Sequence, residues 1–100
     1  MEPKIKFIFD DEKSLKLKEE RGLGFEEIIN AIENGKLLEI IPHYNRAKYP
    51  HQMVLIVNVN DYAYLVPYVE DGDFIILKTI FPNRKFTKLY LDKIKAGDNS

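Results

Sequence analysis

Two clusters of basic and aromatic side chains contain the residue types that could cleave RNA without a metal ion. The first is the segment 42–51, PHYNRAKYPH, which carries two histidines and two tyrosines, and the second surrounds Lys78 and Arg84. Such cleavage requires a group that accepts the 2′-hydroxyl proton, a group that protonates the leaving oxygen, and cations on the phosphate. Histidine suits proton transfer near neutral pH, and Lys or Arg suits the charge role.

The sequence predicts three catalytic residues and five RNA-binding residues. Arg84 and Lys78 would stabilise the negative charge that develops on the phosphate, and His43 or a tyrosine would move protons. The RNA-binding candidates are Lys85, Lys88, Arg46, Lys48 and Tyr64. The chain is otherwise slightly acidic, so the clusters predict a local surface that is presented to a polyanion.

Each cluster also has a purely structural explanation. A segment with the composition of 42–51 is often only a solvated surface loop. Tyr62, Tyr64 and Tyr68 share one face of a predicted strand, so they could stack on RNA bases or pack in the core. The acidic run 10–12 could hold a metal ion, although acids at a helix start more often complement the helix dipole. The sequence predicts no metal and no cofactor.

Composition restricts the class of protein. The 100 residues predict one domain over residues 1–95 and a flexible tail over residues 96–100. Cysteine is absent, which excludes disulfides, thiol nucleophiles and thiolate metal sites. Short apolar runs and an N-terminus without a signal-peptide profile predict a cytoplasmic protein with no membrane partner. The net charge of −1 gives no global attraction to nucleic acid.

Hydrophobic periodicity predicts an α+β fold with the element order β-α-α-β-β-β-β-α. The predicted strands span 4–9, 37–41, 52–59, 62–69 and 74–81, and the predicted helices span 11–21, 25–34 and a basic C-terminal stretch through Phe86, Leu89, Tyr90 and Ile94. Tight turns at Asn60-Asp61 and at 70–72 predict an antiparallel sheet with both N-terminal helices on one face. Pro67 cannot donate to a strand ladder, so it predicts a sheet edge or a bulge.

Three short segments resemble the BrnT-type toxins of bacterial type II toxin–antitoxin modules, within the wider RelE-like group. The segments are Phe7-Ile8-Phe9-Asp10 followed by Lys13, Arg21-Gly22-Leu23-Gly24-Phe25-Glu26-Glu27, and Pro82-Asn83-Arg84-Lys85 with Thr87. They occur in the family's order and spacing, and the resemblance covers nearly the whole chain, from about Lys4 to Leu91.

The resemblance implies a RelE-like ribonuclease that cleaves mRNA and slows translation. It also implies a cognate antitoxin, usually a ribbon-helix-helix DNA-binding protein, through which the complex would contact DNA and repress its own operon. Arg84 and Lys85 match the family's terminal arginine and lysine.

Two departures from the family pattern support a different function. Gln52 and Val69 stand where the family carries a carboxylate and an arginine. They favour a catalytically degenerate, toxin-like module that retains only its protein partner. A further alternative is a structural or regulatory domain whose basic helix docks an acidic protein.

Overall fold

The computed structural model describes residues 6–97, which form an α+β fold with a six-stranded mixed sheet and four helices. The strands are β1 (Lys6–Ile8), β2 (Leu37–Pro42), β3 (Met53–Val59), β4 (Tyr62–Asp71), β5 (Phe74–Leu77) and β6 (Phe81–Pro82). The helices are α1 (Asp11–Arg21), α2 (Phe25–Glu33), α3 (Arg84–Leu89) and α4 (Leu91–Gly97). The predicted strand residues Lys4 and Ile5 and the predicted tail residues 98–100 lie outside the described part.

The sheet has the order β1-β5-β4-β3-β2, with β6 beside β4. The consecutive strands from β2 to β5 pair antiparallel, and the tight turns predicted this for the pairs β3–β4 and β4–β5. Asn60 and Asp61 both have positive φ, 53° and 64°, which is the backbone of a two-residue hairpin turn. The prediction of a wholly antiparallel sheet is wrong, because β1 pairs with β5 in parallel. A turn determines the relative direction only of the two strands that it joins. Because β1 pairs with β5, which is distant in the sequence, no turn predicts their relative direction.

The predicted strand 74–81 is divided into β5 and β6, and the break lies opposite Pro67. The carbonyl of Pro67 accepts the N–H of Lys78 at 2.9 Å. The N and C=O of one residue point to the same side of a strand, so the missing N–H of Pro67 faces the break and costs no ladder bond. The prediction of an edge position for Pro67 is wrong, because β4 lies between β5 and β3 in the sheet. The irregularity is in the segment that pairs with β4. The four residue-to-residue steps from 77 to 81 lie opposite only three steps from 65 to 68, so this segment contains one extra residue.

Helices cover both faces of the sheet. As predicted, the two N-terminal helices share one face, where α1 and α2 enclose a core that includes Leu17, Phe25, Ile28, Leu55, Val57, Val66 and Tyr68. The opposite face is covered from α3 onward, around Val54, Ile56, Ala63, Leu65, Phe81, Phe86 and Tyr90. Adjacent residues of β3 and β4 enter different cores because successive strand side chains alternate. None of the helices within residues 6–97 has the length and apolar character needed to cross a membrane.

The C-terminal basic helix is two helices rather than one. Asn83 caps α3 by accepting the N–H of Phe86 at 2.8 Å, and Tyr90 separates α3 from α4. The interruption changes which side chains face the sheet. Ile94 is buried, whereas Leu89 is 68% exposed although its spacing predicts burial.

Ser14 fixes α1 against the start of α2. Its hydroxyl accepts the N–H of Phe25 at 2.8 Å and donates to the carboxylate of Glu26 at 2.9 Å, and the residue is only 2% exposed. Gly24 allows this close approach because it has no side chain. A Cβ at that position would lie 2.6 Å from Ser14 Oγ and 2.9 Å from the Ser14 carbonyl.

Gly24→Ala is expected to lower the free energy of unfolding by about 2 kcal/mol, because the new methyl group must push α1 away from α2. Urea denaturation of the variant measures this cost. In the Ser14→Ala background the same substitution should cost less, because the nearer of the two clashing atoms is gone. An equal cost in both backgrounds would contradict the proposed clash with the hydroxyl.

Stability is also expected to fall at acid pH through Glu27, which bonds Lys18 at 2.9 Å and the N–H of Gly24 at 2.8 Å. Burial raises the pKa of this carboxyl, but these hydrogen bonds outweigh it, so the pKa lies below its ordinary 4.5. The ionised carboxylate therefore stabilises the fold fully above about pH 4.5. This contribution is lost as the pH falls through the pKa that Glu27 has in the folded protein.

Glu27→Gln, which can still accept the Gly24 N–H, isolates that charge. Its urea midpoint should lie below the wild-type midpoint at pH 7, and the gap should close on acidification. A gap that is independent of pH would contradict the assignment to Glu27.

Candidate functional site

A pocket of about 210 Å³ forms where α1, the segment after β2 and the break between β5 and β6 meet. We call it the cationic pocket. Its lining residues are Lys13, His43, Tyr44, Tyr49, Gln52, Pro67, Lys78, Thr79 and Phe81. Two of the three catalytic candidates from the sequence, Lys78 and His43, therefore share one site although they are distant in the chain.

A second pocket, of about 280 Å³, adjoins the first, and we call it the apolar pocket. It is lined by Tyr44, Leu65, Phe81, Asn83 and Phe86. Tyr44 and Phe81 belong to both pockets, so the two adjoin, and we call them together the cleft. One end of the cleft presents amines and the other presents aromatic rings.

Separate elements deliver the positive charge of the cationic pocket. Lys13 lies in the first turn of α1, whose N-cap residue Asp10 accepts the Lys13 N–H at 3.1 Å. Lys78 is exposed where strand pairing stops after β5. Arg21, at the end of α1, lines neither pocket, but its guanidinium lies 6.0 Å from the centre of the Phe81 ring and adds positive charge beside the cleft. The described residues that line the two pockets include no carboxylate, so nothing in the lining offsets these cations.

His43 is the buried histidine of the cationic pocket lining. It is 4% exposed, and its Nδ1 accepts the backbone N–H of Asn45 at 3.0 Å. A ring nitrogen that accepts this bond is unprotonated, so the neutral ring carries its proton on Nε2. The ring can therefore donate a hydrogen bond to a phosphate oxygen. It cannot take the 2′-hydroxyl proton at Nδ1 without breaking the bond to Asn45.

Two tyrosine rings flank this histidine. The ring centres of Tyr44 and Tyr49 lie 4.2 Å and 4.6 Å from that of His43. The ammonium of Lys48 lies 5.4 Å from the Tyr49 ring centre, which brings one predicted RNA-binding cation to the rim of the pocket. Tyr49 is half-buried, whereas Tyr44 is 62% exposed. The segment 42–51 is thus packed around His43 and is more than a solvated loop.

The remaining basic candidates lie near the cleft without lining it. Arg84 is the first residue of α3, directly after the lining residue Asn83, and its side chain is exposed. Lys85 and Lys88 are exposed on the same helix, and Arg46 is exposed in the segment after β2. These cations can contact a polyanion that extends beyond the cleft.

Tyr64 lies apart from the cleft. Its side chain packs against the core under α1 and α2, and its ring centre is 5.8 Å from that of Tyr62. Tyr68, the third tyrosine of that strand face, is 3% exposed. Burial of Tyr68 agrees with the core-packing explanation. RNA binding by Tyr64 stays a prediction, on the sheet face opposite the apolar pocket.

Sequence reasoning missed Lys13, Arg21 and Tyr44 as site residues. Lys13 and Arg21 both occur in the segments that resemble the toxin family, but nothing in the sequence places them near Lys78 or Phe81. The structure puts Lys13 in the lining of the cationic pocket and the Arg21 guanidinium beside the Phe81 ring. Tyr44 had a usable signal, since it lies beside His43 in a segment already singled out. The acidic run 10–12 acts as helix cap and first turn, and residues 6–97 contain no group of three His, Asp or Glu side chains suited to hold a metal ion.

Three comparisons with known proteins identify no relative. The sequence matches no protein-family model, no curated protein and no solved structure. The likeness to RelE-like toxins accordingly rests on the three sequence segments alone, and the RelE-like topology stays a prediction.

Proposed function

We propose that this protein is the toxin of a type II toxin–antitoxin module, a metal-independent endoribonuclease that cleaves mRNA in the cleft and inhibits translation in the cytoplasm. The observation that supports it best is the convergence of Lys13, Lys78, His43 and Tyr49 on one small pocket without a carboxylate. Such a pocket favours the binding of anionic substrates. The chemistry of RNA cleavage also needs cations and proton donors at one phosphate.

In the proposed reaction the 2′-oxygen attacks the adjacent phosphorus, and the bond from phosphorus to the 5′-oxygen breaks. Water accepts the 2′-hydroxyl proton, the ammonium groups of Lys13 and Lys78 stabilise the charge on the phosphate, and Arg84 adds positive charge beside the cleft. The hydroxyl of Tyr49 gives its proton to the leaving 5′-oxygen. His43 donates a hydrogen bond from Nε2 to a phosphate oxygen and holds the tyrosines in position. The products are a cyclic 2′,3′-phosphate and a 5′-hydroxyl, and the proton taken up by water returns to Tyr49.

One observation favours a second candidate function. Gln52 lines the cationic pocket where the resembled family has a carboxylate, and Nδ1 of His43 is occupied by Asn45. The pocket therefore lacks a conventional proton acceptor. A degenerate toxin-like module would bind RNA or an antitoxin, in this family usually a ribbon-helix-helix protein, without cleaving RNA.

Induced expression in a bacterial host without the neighbouring gene distinguishes the two functions. Growth and RNA integrity are followed for the wild type and for Arg84→Ala together. Growth arrest with RNA fragmentation in the wild type, weakened in the folded variant, would support the ribonuclease. Normal growth with soluble, folded wild-type protein would refute it and favour the binding module.

A further inference from the structure

The apolar pocket adjoins the proposed reaction site but has no role in the chemistry described above. Tyr44 belongs to both pockets and is 62% exposed, which is unusual for a side chain held in place by its neighbours. Its ring rests against His43, which is buried and hydrogen-bonded to Asn45. Tyr44 therefore presents an exposed aromatic ring that is supported from one side by a buried residue.

The other walls of the apolar pocket suit a flat ring with polar edges. Phe81, Phe86 and Leu65 supply apolar surface around a volume of about 280 Å³. Asn83 is the polar lining residue besides Tyr44, and its Oδ1 already accepts the N–H of Phe86. This bond orients the side-chain amide, whose NH₂ group can donate to a ligand. Nucleobases have two π faces for stacking and edge oxygens or nitrogens that accept such donors.

We propose that the apolar pocket binds one unpaired nucleobase, stacked on Tyr44 and hydrogen-bonded by Asn83, next to a phosphate in the cationic pocket. The inference rests on the proposed RNA-cleaving function and narrows its substrate class to single-stranded RNA. A paired base in a duplex is covered on both faces and along its edge, so it cannot enter the pocket. An aromatic protein side chain would satisfy the apolar walls, but in RNA every base is followed by a phosphate that can reach the adjoining cations.

Binding measurements can test this base site separately from catalysis. The probe is a short, fluorescently labelled single-stranded RNA whose 2′-oxygens are methylated, so that it cannot be cleaved. The same strand annealed to its complement serves as the duplex probe. The proteins are the wild type, Tyr44→Ala, Tyr44→Phe, Lys78→Met and, as a matched control, Phe74→Ala, which removes an exposed ring far from the cleft. Urea denaturation verifies that each variant is folded.

The wild type is expected to prefer the single strand over the duplex. Tyr44→Ala should weaken single-strand binding roughly tenfold, as loss of one base–aromatic stack implies, without changing duplex binding. Tyr44→Phe should bind nearly as well as the wild type, and Phe74→Ala should bind equally well.

Two outcomes would overturn the inference, and they differ in what else they refute. If the wild type binds neither probe, the proposed ribonuclease function fails together with the base site. If single-strand binding is lost in Lys78→Met but kept in Tyr44→Ala, only the base site fails. The apolar pocket would then be assigned to a side chain of a partner protein.

Discussion

Lys78→Met is expected to reduce RNA cleavage at least about a hundredfold, the size of effect seen when one group that stabilises transition-state charge is removed. Lys78 lines the cationic pocket beside Lys13 and emerges at the strand break opposite Pro67. Methionine keeps an unbranched apolar side chain of nearly the same length but removes the charge. Because the side chain is exposed, the free energy of unfolding should change by less than about 0.5 kcal/mol.

The measurement is single-turnover cleavage of a labelled RNA, with urea denaturation of the same preparations. Lys16→Met is the matched control, because Lys16 is exposed on α1 and lines neither pocket. A plot of the logarithm of the binding constant against the logarithm of salt concentration has a negative slope. Removing one phosphate contact should reduce the magnitude of that slope by about 0.7 for a single strand. If Lys78→Met and Lys16→Met cleave RNA at equal rates, Lys78 has no role in the reaction.

His43→Ala is expected to lower the free energy of unfolding by about 2–4 kcal/mol and to abolish cleavage. The residue is 4% exposed, accepts the Asn45 N–H and supports both flanking tyrosines. Its removal leaves a cavity, an unpaired backbone donor and two unsupported rings. The effect on activity would then follow from collapse of the cleft.

His43→Asn separates this positioning role from proton transfer. The asparagine oxygen can accept the Asn45 N–H in place of Nδ1, so this variant should be more stable than His43→Ala. Its cleavage rate should fall, but the dependence of the rate on pH should keep the wild-type shape. Loss of a titrating limb near neutral pH in the folded variant would instead identify His43 as the proton carrier.

Local elements of this fold follow from the sequence because their signals are local. The face formed by Phe25, Ile28 and Ile32 predicts α2 within one residue of its end, and Asp10 predicts the start of α1. The turn at Asn60-Asp61 predicts the central hairpin and its direction. Each of these features is determined by residues within a few positions of one another.

Features that depend on distant partners could not be predicted in this way. The parallel pairing of β1 with β5 is such a feature, since no turn joins the two strands. The division of 74–81 depends on Pro67, which interrupts the ladder of a neighbouring strand. The break of the C-terminal helix at Tyr90 places Leu89 in solvent, against its periodicity.

The candidate site also combines features that the sequence predicts with features that only the structure shows. The sequence by itself determined that basic and aromatic residues gather in 42–51 and around Lys78, and it named the chemistry that such residues support. Only the tertiary structure decided that Lys78 meets His43 and Lys13 in one pocket, while Tyr64 faces away from it. The physical reason is that residue type sets what a side chain can do, whereas strand pairing and helix packing set which side chains meet.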